Sequence, residues 1–241
     1  MMNLLTVLYA VIGVAEVYAE ITQNSTLRFF TKPLLMIVLI AYYLKGAGAL
    51  NAFHKLMVAA FAFSWVGDVA LMFVPASETD TLLMGITKNP NYFLVGLVGF
   101  LVTHVLYTIA FSKISESKPA LLPQKFWVTI PLVIYMIVLL ILLVPSITSN
   151  PLTKDFLIPV LVYSTAIAVM VVFAINRYGR VNESSFALVF AGALLFMFSD
   201  SIIAINKFLY PFPTAGVFIM VLYITAQYLI AKGALRQSNR A

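Results

Sequence analysis

Long apolar runs, broken at short intervals by Pro, Asn, Gly and single charges, make up most of the chain. A helix needs about 20 apolar residues to cross the hydrocarbon core of a bilayer. Eight such runs predict helices at roughly 2–21, 32–50, 54–74, 91–111, 126–144, 156–176, 185–206 and 213–232. Their ends fall at Lys45-Gly46, Pro75, Asn89-Pro90, Pro119 and Pro123, Pro145, Asn150-Pro151, Pro211 and Pro213. Such residues punctuate helices. The second run is the least regular, since Lys45 and Gly46 can end it early. The expected fold is all-α, a polytopic membrane protein of eight transmembrane helices forming a single transmembrane domain over residues 1–241.

Composition agrees with this pattern. Of 241 residues, 62% are hydrophobic and 10% charged, against about 25% charged in a soluble domain. No polar segment exceeds about sixteen residues, so no separate soluble domain is expected. The net charge of +6 comes from basic residues set singly between apolar runs, which suits membrane flanks and implies no nucleic-acid partner. Cysteine is absent, which excludes disulfides, thiolate catalysis and cysteine metal sites. The N-terminal run lacks a basic leader and is interrupted by Glu16, so it reads as an uncleaved first span rather than a signal peptide.

An even number of spans puts both termini on one side. The linkers on that side, with the C-terminal tail, hold ten basic residues: Lys45, Lys55, Lys113, Lys118, Lys125, Arg177, Arg180, Lys232, Arg236 and Arg240. The opposite linkers hold five: Arg28, Lys32, Lys88, Lys154 and Lys207. The excess predicts cytoplasmic N- and C-termini.

The two halves also read alike, as 1–112 and 126–235. Val105-Leu106-Tyr107 recurs as Val221-Leu222-Tyr223, Asp68 in span three matches Asp200 in span seven, and Lys32-Pro33 opens span two as Ile158-Pro159 does span six. Two explanations stand: a 4+4 parallel internal repeat with its axis along the membrane normal, or chance likeness between apolar helices.

Polar residues inside the spans are the candidate chemistry. An acid in a membrane span costs about 2.5–3.5 kcal/mol on insertion scales, so it needs a partner or a function. Glu16, Asp68 and Asp200 lie well inside spans one, three and seven, and the predicted orientation places all three in the outer half of the membrane. Their agreement in depth favours one polar site over three separate helix–helix contacts. Asp200 and Lys207 are seven apart, hence on one α-helical face about 10 Å apart. That arrangement fits a ligand with a charged head whose reacting part hangs into the bilayer. Lys32 and Lys207 are candidates for a phosphate, and Asn206, Tyr163, Tyr223 and Gln227 for polar contacts to a head group. For each, a snorkelling lysine or a helix cross-link is the simpler reading. His104 is a supporting acid–base candidate or a helix–helix hydrogen bonder. With only His54 besides, a three-histidine zinc site is excluded, and no metal or cofactor is called for.

Several motifs carry a resemblance: TKPLLM at Thr31–Met36, FSWVGDVALMF at Phe63–Phe73, FLVGLVGFLVTHVLY at Phe93–Tyr107, ALLFMFSDSIIAINKF at Ala193–Phe208 and VLYITAQYLIAKG at Val221–Gly233. In this order the chain resembles the lysoplasmalogenase-like (YhhN) family of integral membrane proteins. Ser199-Asp200 followed by Asn206-Lys207-Phe208 is a fairly specific element. The resemblance implies an eight-span hydrolase of the bacterial inner membrane. Its substrate would be a membrane lipid, a lysoplasmalogen, cleaved at the vinyl ether bond to a fatty aldehyde and a glycerophospho-base. Asp68 and Asp200 fall on the family's acidic positions, the expected catalytic pair, with Glu16 a third participant.

Vinyl ether hydrolysis needs a proton delivered to the β-carbon and water activated against the resulting oxocarbenium ion, work that two carboxyls can divide. In this reading Asp200 is the acid and Asp68 the base, an assignment that the likeness of the halves leaves almost open. The alternative function is a small proton-coupled transporter or lipid flippase, which also uses intramembrane carboxylates. A non-catalytic lipid-binding protein is a further alternative. No glycine-rich phosphate loop and no G-x-S-x-G element is present.

Overall fold

A computed structural model describes residues 2–74, 90–114 and 120–237. Eight long helices carry these residues, and no strand occurs among them. They are α1 (Met2–Ile21), α2 (Ser25–Ala47), α3 (Ala52–Met72), α4 (Pro90–Ser112), α5 (Ile130–Ser149), α6 (Leu157–Ile175), α7 (Glu183–Ala204) and α8 (Ala215–Gln237). Together with their flanking turns, eight helices are long and apolar enough to cross a membrane. The protein is an integral, multi-pass membrane protein.

Local chemistry sets the helix starts. Asn24, Asn51 and Asn182 cap α2, α3 and α7, their side-chain oxygens accepting from the backbone N–H of Leu27 (2.9 Å), His54 (2.9 Å) and Ser185 (2.7 Å). Such caps satisfy an N–H that the helix itself leaves unpaired. Single 3-10 turns, Phe126–Thr129 and Lys154–Phe156, lead into α5 and α6. At the other end of α2, Gly48 takes φ +61°, a conformation that favours glycine.

Three expected boundaries move. The second helix begins at Ser25 rather than residue 32, so Arg28 and Lys32 lie within it and Pro33 is interior. The cause is α1: its acids face this stretch of α2 and hold the polar residues that an apolar count excludes. Lys45-Gly46 does not end α2, which runs on to Ala47. Pro145 does not end α5, which continues to Ser149. The last turn is supported by Thr148 Oγ1 donating to Val144 O (2.9 Å) and Ser149 Oγ to Ser146 O (3.2 Å), as hydroxyls do around an intramembrane proline. Pro75, Asn89, Pro119 and the basic residues Lys88, Lys118 and Arg240 lie outside the described residues.

The chain divides into two compact units, Met1–Leu106 and Tyr107–Ala241, with the boundary inside α4. In the first unit α1 packs on α2 and α2 on α3. The α3–α4 contact is made at backbone distance. A Cβ on Gly99 would stand 2.9 Å from Gly67 N and 3.1 Å from Phe63 O, and one on Gly67 would meet the Phe100 ring at 2.8 Å. Small residues at a crossing let membrane helices approach this closely. One turn on, Thr103 Oγ1 lies 3.1 Å from Ser64 Oγ and 3.1 Å from Ala60 O.

In the second unit α7 packs on α8 and α6, and α5 on α6. Here too glycines set the approach: a Cβ on Gly192 would lie 2.8 Å from Ala226 O, and one on Gly233 2.9 Å from Val189 N. The chain leaves α7 through a π-helical turn, Ile205–Leu209. Ile158-Pro159 sits in the first turn of α6, whereas Lys32-Pro33 lies well inside α2. That pair therefore does not mark equivalent helix starts.

Candidate functional site

In the first unit the polar residues gather on facing sides of α1 and α2. Glu16 and Glu20 are one turn apart on α1; Arg28, Thr31 and Lys32 occupy one stripe of α2, following the i, i+3, i+4 spacing. Glu16 is completely buried, and its Oε2 accepts from the Thr31 hydroxyl. Thr31 Oγ1 also lies 2.8 Å from Leu27 O. A hydroxyl has one hydrogen, so it serves one of these acceptors at a time. Glu16 Oε1 is buried with no hydrogen-bond partner among the described residues. Arg28 pairs with Glu20 at 3.5 Å and reaches Ser25 Oγ at 3.2 Å, so it is held rather than snorkelling alone. Lys32 is half-buried and within Coulombic reach of Glu16.

Asp68 lies on α3 directly after Gly67, beside the backbone contact with α4, and is 2% exposed. His104 follows Thr103 on α4 and is fully buried. The other histidine, His54, bonds through Nδ1 to the Tyr43 hydroxyl at 2.8 Å, a helix cross-link within the unit.

In the second unit Asp200 is half-buried near the end of α7, and Tyr163 Oη on α6 donates to its Oδ2 at 2.5 Å. Beyond Asp200 the π turn carries Asn206 and Lys207. Isolated π turns recur at functional sites. This one is pinned from two sides: Ser146 Oγ of α5 donates to Phe208 O, and Asn206 Oδ1 accepts from Phe212 N at 3.0 Å. Asn206 thus spends its carbonyl oxygen on the loop. Lys207 is exposed, and the turn interrupts the α-helical register in which it would share a face with Asp200.

Tyr223 and Gln227 are both buried. Tyr223 packs its ring edge against Phe196 at 5.4 Å, and Gln227 Oε1 accepts from Tyr107 Oη at 2.6 Å. Gln227 therefore joins α8 to the end of α4, as a helix cross-link does. No group of three His, Cys, Asp or Glu side chains converges among the described residues.

Sequence reasoning missed several of the polar residues that hold these groups. Thr31 is the partner of Glu16, and its signal was available: Glu16 and Glu20 on α1 face an Arg-x-x-Thr-Lys stripe on α2. Arg177, expected as a flanking linker charge, is completely buried. It donates to Gln237 Oε1 (2.6 Å) and Ser185 Oγ (2.9 Å) and lies 5.4 Å over the Phe111 ring. Ser185 Oγ passes the chain on to Gly233 O at 2.7 Å. Nothing in local sequence distinguishes it from a solvated flank.

The chain is 28% identical to lysoplasmalogenase TMEM86B of Homo sapiens over 206 residues, which is 84% of this chain and 73% of that one. It is 29% identical to lysoplasmalogenase TMEM86B of Rattus norvegicus, covering 85% of this chain and 71% of that one. With lysoplasmalogenase TMEM86A of Bos taurus the identity is 31%, over 72% of this chain and 62% of the relative. No solved structure matches. The pattern of the YhhN family matches residues 27–234, which include Asp68, Asp200 and both packed units' candidate residues except those on α1. The chain belongs to the YhhN family of integral membrane proteins.

Proposed function

We propose that the protein is a membrane hydrolase cleaving the vinyl ether bond of lysoplasmalogens, releasing a fatty aldehyde and a glycerophospho-base. The family and the names of its relatives support the reaction class. One structural observation supports the site: Asp200, the acid of the Ser199-Asp200 motif, accepts from a phenol just ahead of a pinned π turn.

Asp68 and Asp200 share the acid–base work. One delivers a proton to the β-carbon while the enol ether electrons form the new C–H bond, leaving an oxocarbenium ion. The other takes a proton from water as its oxygen adds to that cation. The hemiacetal collapses when its hydroxyl proton returns to the first carboxyl and the second protonates the departing glycerol oxygen. Both carboxyls end as they began, and no redox partner is consumed.

Lys207 and Lys32 are the proposed phosphate contacts, and Asn206, Tyr163, Tyr223 and Gln227 the proposed polar contacts to the glycerol or head group. Glu16 and His104 support the site. The excess of basic residues on one side supports an orientation with both termini in the cytoplasm. Asp68→Asn and Asp200→Asn should each insert normally and lose turnover. A fully active variant at either position contradicts the acid–base pair.

A further inference from the structure

We propose that Glu16 reads the free hydroxyl on the middle carbon of the substrate's glycerol, and so sets the preference for a lysolipid over one acylated there. The ligand class is that of the hydrolase reading above, on which the proposal rests, and every residue it uses lies in the first unit.

One oxygen carries the assignment. Glu16 is completely buried, and Thr31 Oγ1 donates to its Oε2. Oε1, on the same carbon and hence in the same α1–α2 interface, has no hydrogen-bond partner among the described residues. A buried acceptor has given up water, and folded proteins rarely leave one unpaired without a reason. The neighbouring charges are already matched. Glu20 pairs with Arg28 at 3.5 Å, and Lys32 lies within Coulombic reach of Glu16. With two acids set against two bases, what suits the remaining oxygen is a neutral group. A hydroxyl both donates and accepts, so it fits a carboxyl oxygen with or without its proton. An ammonium only donates, and it would add a third cation.

The order of these side chains matches the order of groups along a lysolipid. Exposure rises toward the end of α1 and the start of α2: Glu16 is 0% exposed, Glu20 7% and the Arg28 side chain 18%. In the lipid the phosphate hangs on one end carbon of glycerol, the hydroxyl on the middle one and the vinyl ether on the other end. A phosphate held by Lys32, whose long stem lets the amine reach outward, leaves the hydroxyl one carbon deeper. Glu16 waits on that inner side.

The vinyl ether then continues toward the depth of Asp68. Glu16 lies five residues from the end of α1 at Ile21, about 7.5 Å along the axis, and Asp68 four from the end of α3 at Met72, about 6 Å. Both ends are on one side of the unit. The helices α1, α2 and α3 pack in sequence, and Phe29 near the start of α2 meets Phe73 at the end of α3 edge-on at 6.3 Å. A lipid acylated on the middle carbon has no hydrogen to offer there and brings bulk into a closed interface. Sites built to bond a substrate hydroxyl reject the analogue lacking it, because their own buried group is then left unpaired.

Binding to the full-length protein in detergent tests this without turnover. The probes are a 1-alkyl lysophosphoethanolamine, with a saturated ether in place of the vinyl ether, and its 2-deoxy analogue, which lacks only the hydroxyl. Titration calorimetry should show the wild type binding the first about ten-fold or more tightly than the second. Glu16→Met fills the space without an acceptor and should bring the two affinities within about two-fold, chiefly by weakening the hydroxyl form. Glu16→Gln keeps a carbonyl oxygen and should restore most of the preference. Equal affinities in the wild type overturn the proposal, and that result needs no variant. A preference that survives in folded Glu16→Met also overturns it, since another group would then read the hydroxyl. If the wild type makes no aldehyde yet keeps the preference, the hydrolase reading fails and the hydroxyl site stands. Aldehyde formation with equal affinities gives the reverse.

Discussion

Asp68 and Asp200, each set in an otherwise apolar span, occupy contrasting places in the structure. Asp68 follows a glycine at a backbone-to-backbone helix contact and is sealed from its surroundings. Asp200 is half-buried, and the Tyr163 phenol donates to it from the neighbouring helix. The first carboxyl sits beside main-chain packing, which cannot be altered without moving helices. The second accepts a removable O–H and is followed by a turn that departs from α geometry. Division of labour between two acids needs such unequal environments, since identical ones would give identical groups.

This contrast can be broken in graded steps. Replacing either acid should have the largest effect: Asp68→Asn and Asp200→Asn are each expected to lower turnover by about 10²–10⁴-fold, with wild-type amounts in the membrane fraction. Equal loss at both positions, with normal insertion, would show that the two surroundings serve one reaction.

Next comes the backbone contact. Gly99→Ala would push a methyl to 2.9 Å from Gly67 N, where no side chain can yield. It should destabilise by about 1–3 kcal/mol, seen as a lower melting temperature in detergent, and reduce activity with it. Gly67→Ala meets the Phe100 ring instead and should cost less, because a ring can turn. Coupled loss of stability and activity marks the first unit; Tyr163→Phe should lose activity alone.

Smaller effects fall on the cross-links. Thr31→Val removes the hydroxyl that Glu16 meets in a fully buried setting, and about 1–2 kcal/mol of stability should go with it. Tyr107→Phe deletes the bond to Gln227 and should cost only about 0.6 kcal/mol, the average found for hydrogen bonds between membrane helices. Equilibrium unfolding in mixed micelles would rank the two. A large loss of activity at constant stability in Tyr107→Phe would instead make Gln227 part of the reacting site.

Most of the fold was legible because hydrophobic run length alone fixes a membrane helix. All eight spans were readable, and their shifts trace to particular side chains. Thr31 and Arg28 extend α2 because they answer acids on α1, and hydroxyls carry α5 past Pro145. The site was legible in part. Glu16, Asp68 and Asp200 stand out because charge is costly in a membrane. The π turn was invisible, since Ile205–Leu209 reads as ordinary helix, and with it went the expected alignment of Asp200 with Lys207. The burial of Arg177 was equally hidden, because a linker arginine looks the same whether it is solvated or folded under Phe111. Both depend on which distant side chain arrives, which periodicity does not encode.

The most direct test is a product assay on the purified protein. A 1-alkenyl lysophosphoethanolamine and a 1-acyl lysophospholipid would be supplied in parallel, with fatty aldehyde and fatty acid followed by mass spectrometry and Asp200→Asn as the blank. The expected result is aldehyde from the alkenyl lipid alone, lost in the variant. No product from folded wild-type protein, with proton-gradient-dependent accumulation of lipid in reconstituted vesicles, would contradict hydrolysis and make the protein a carrier.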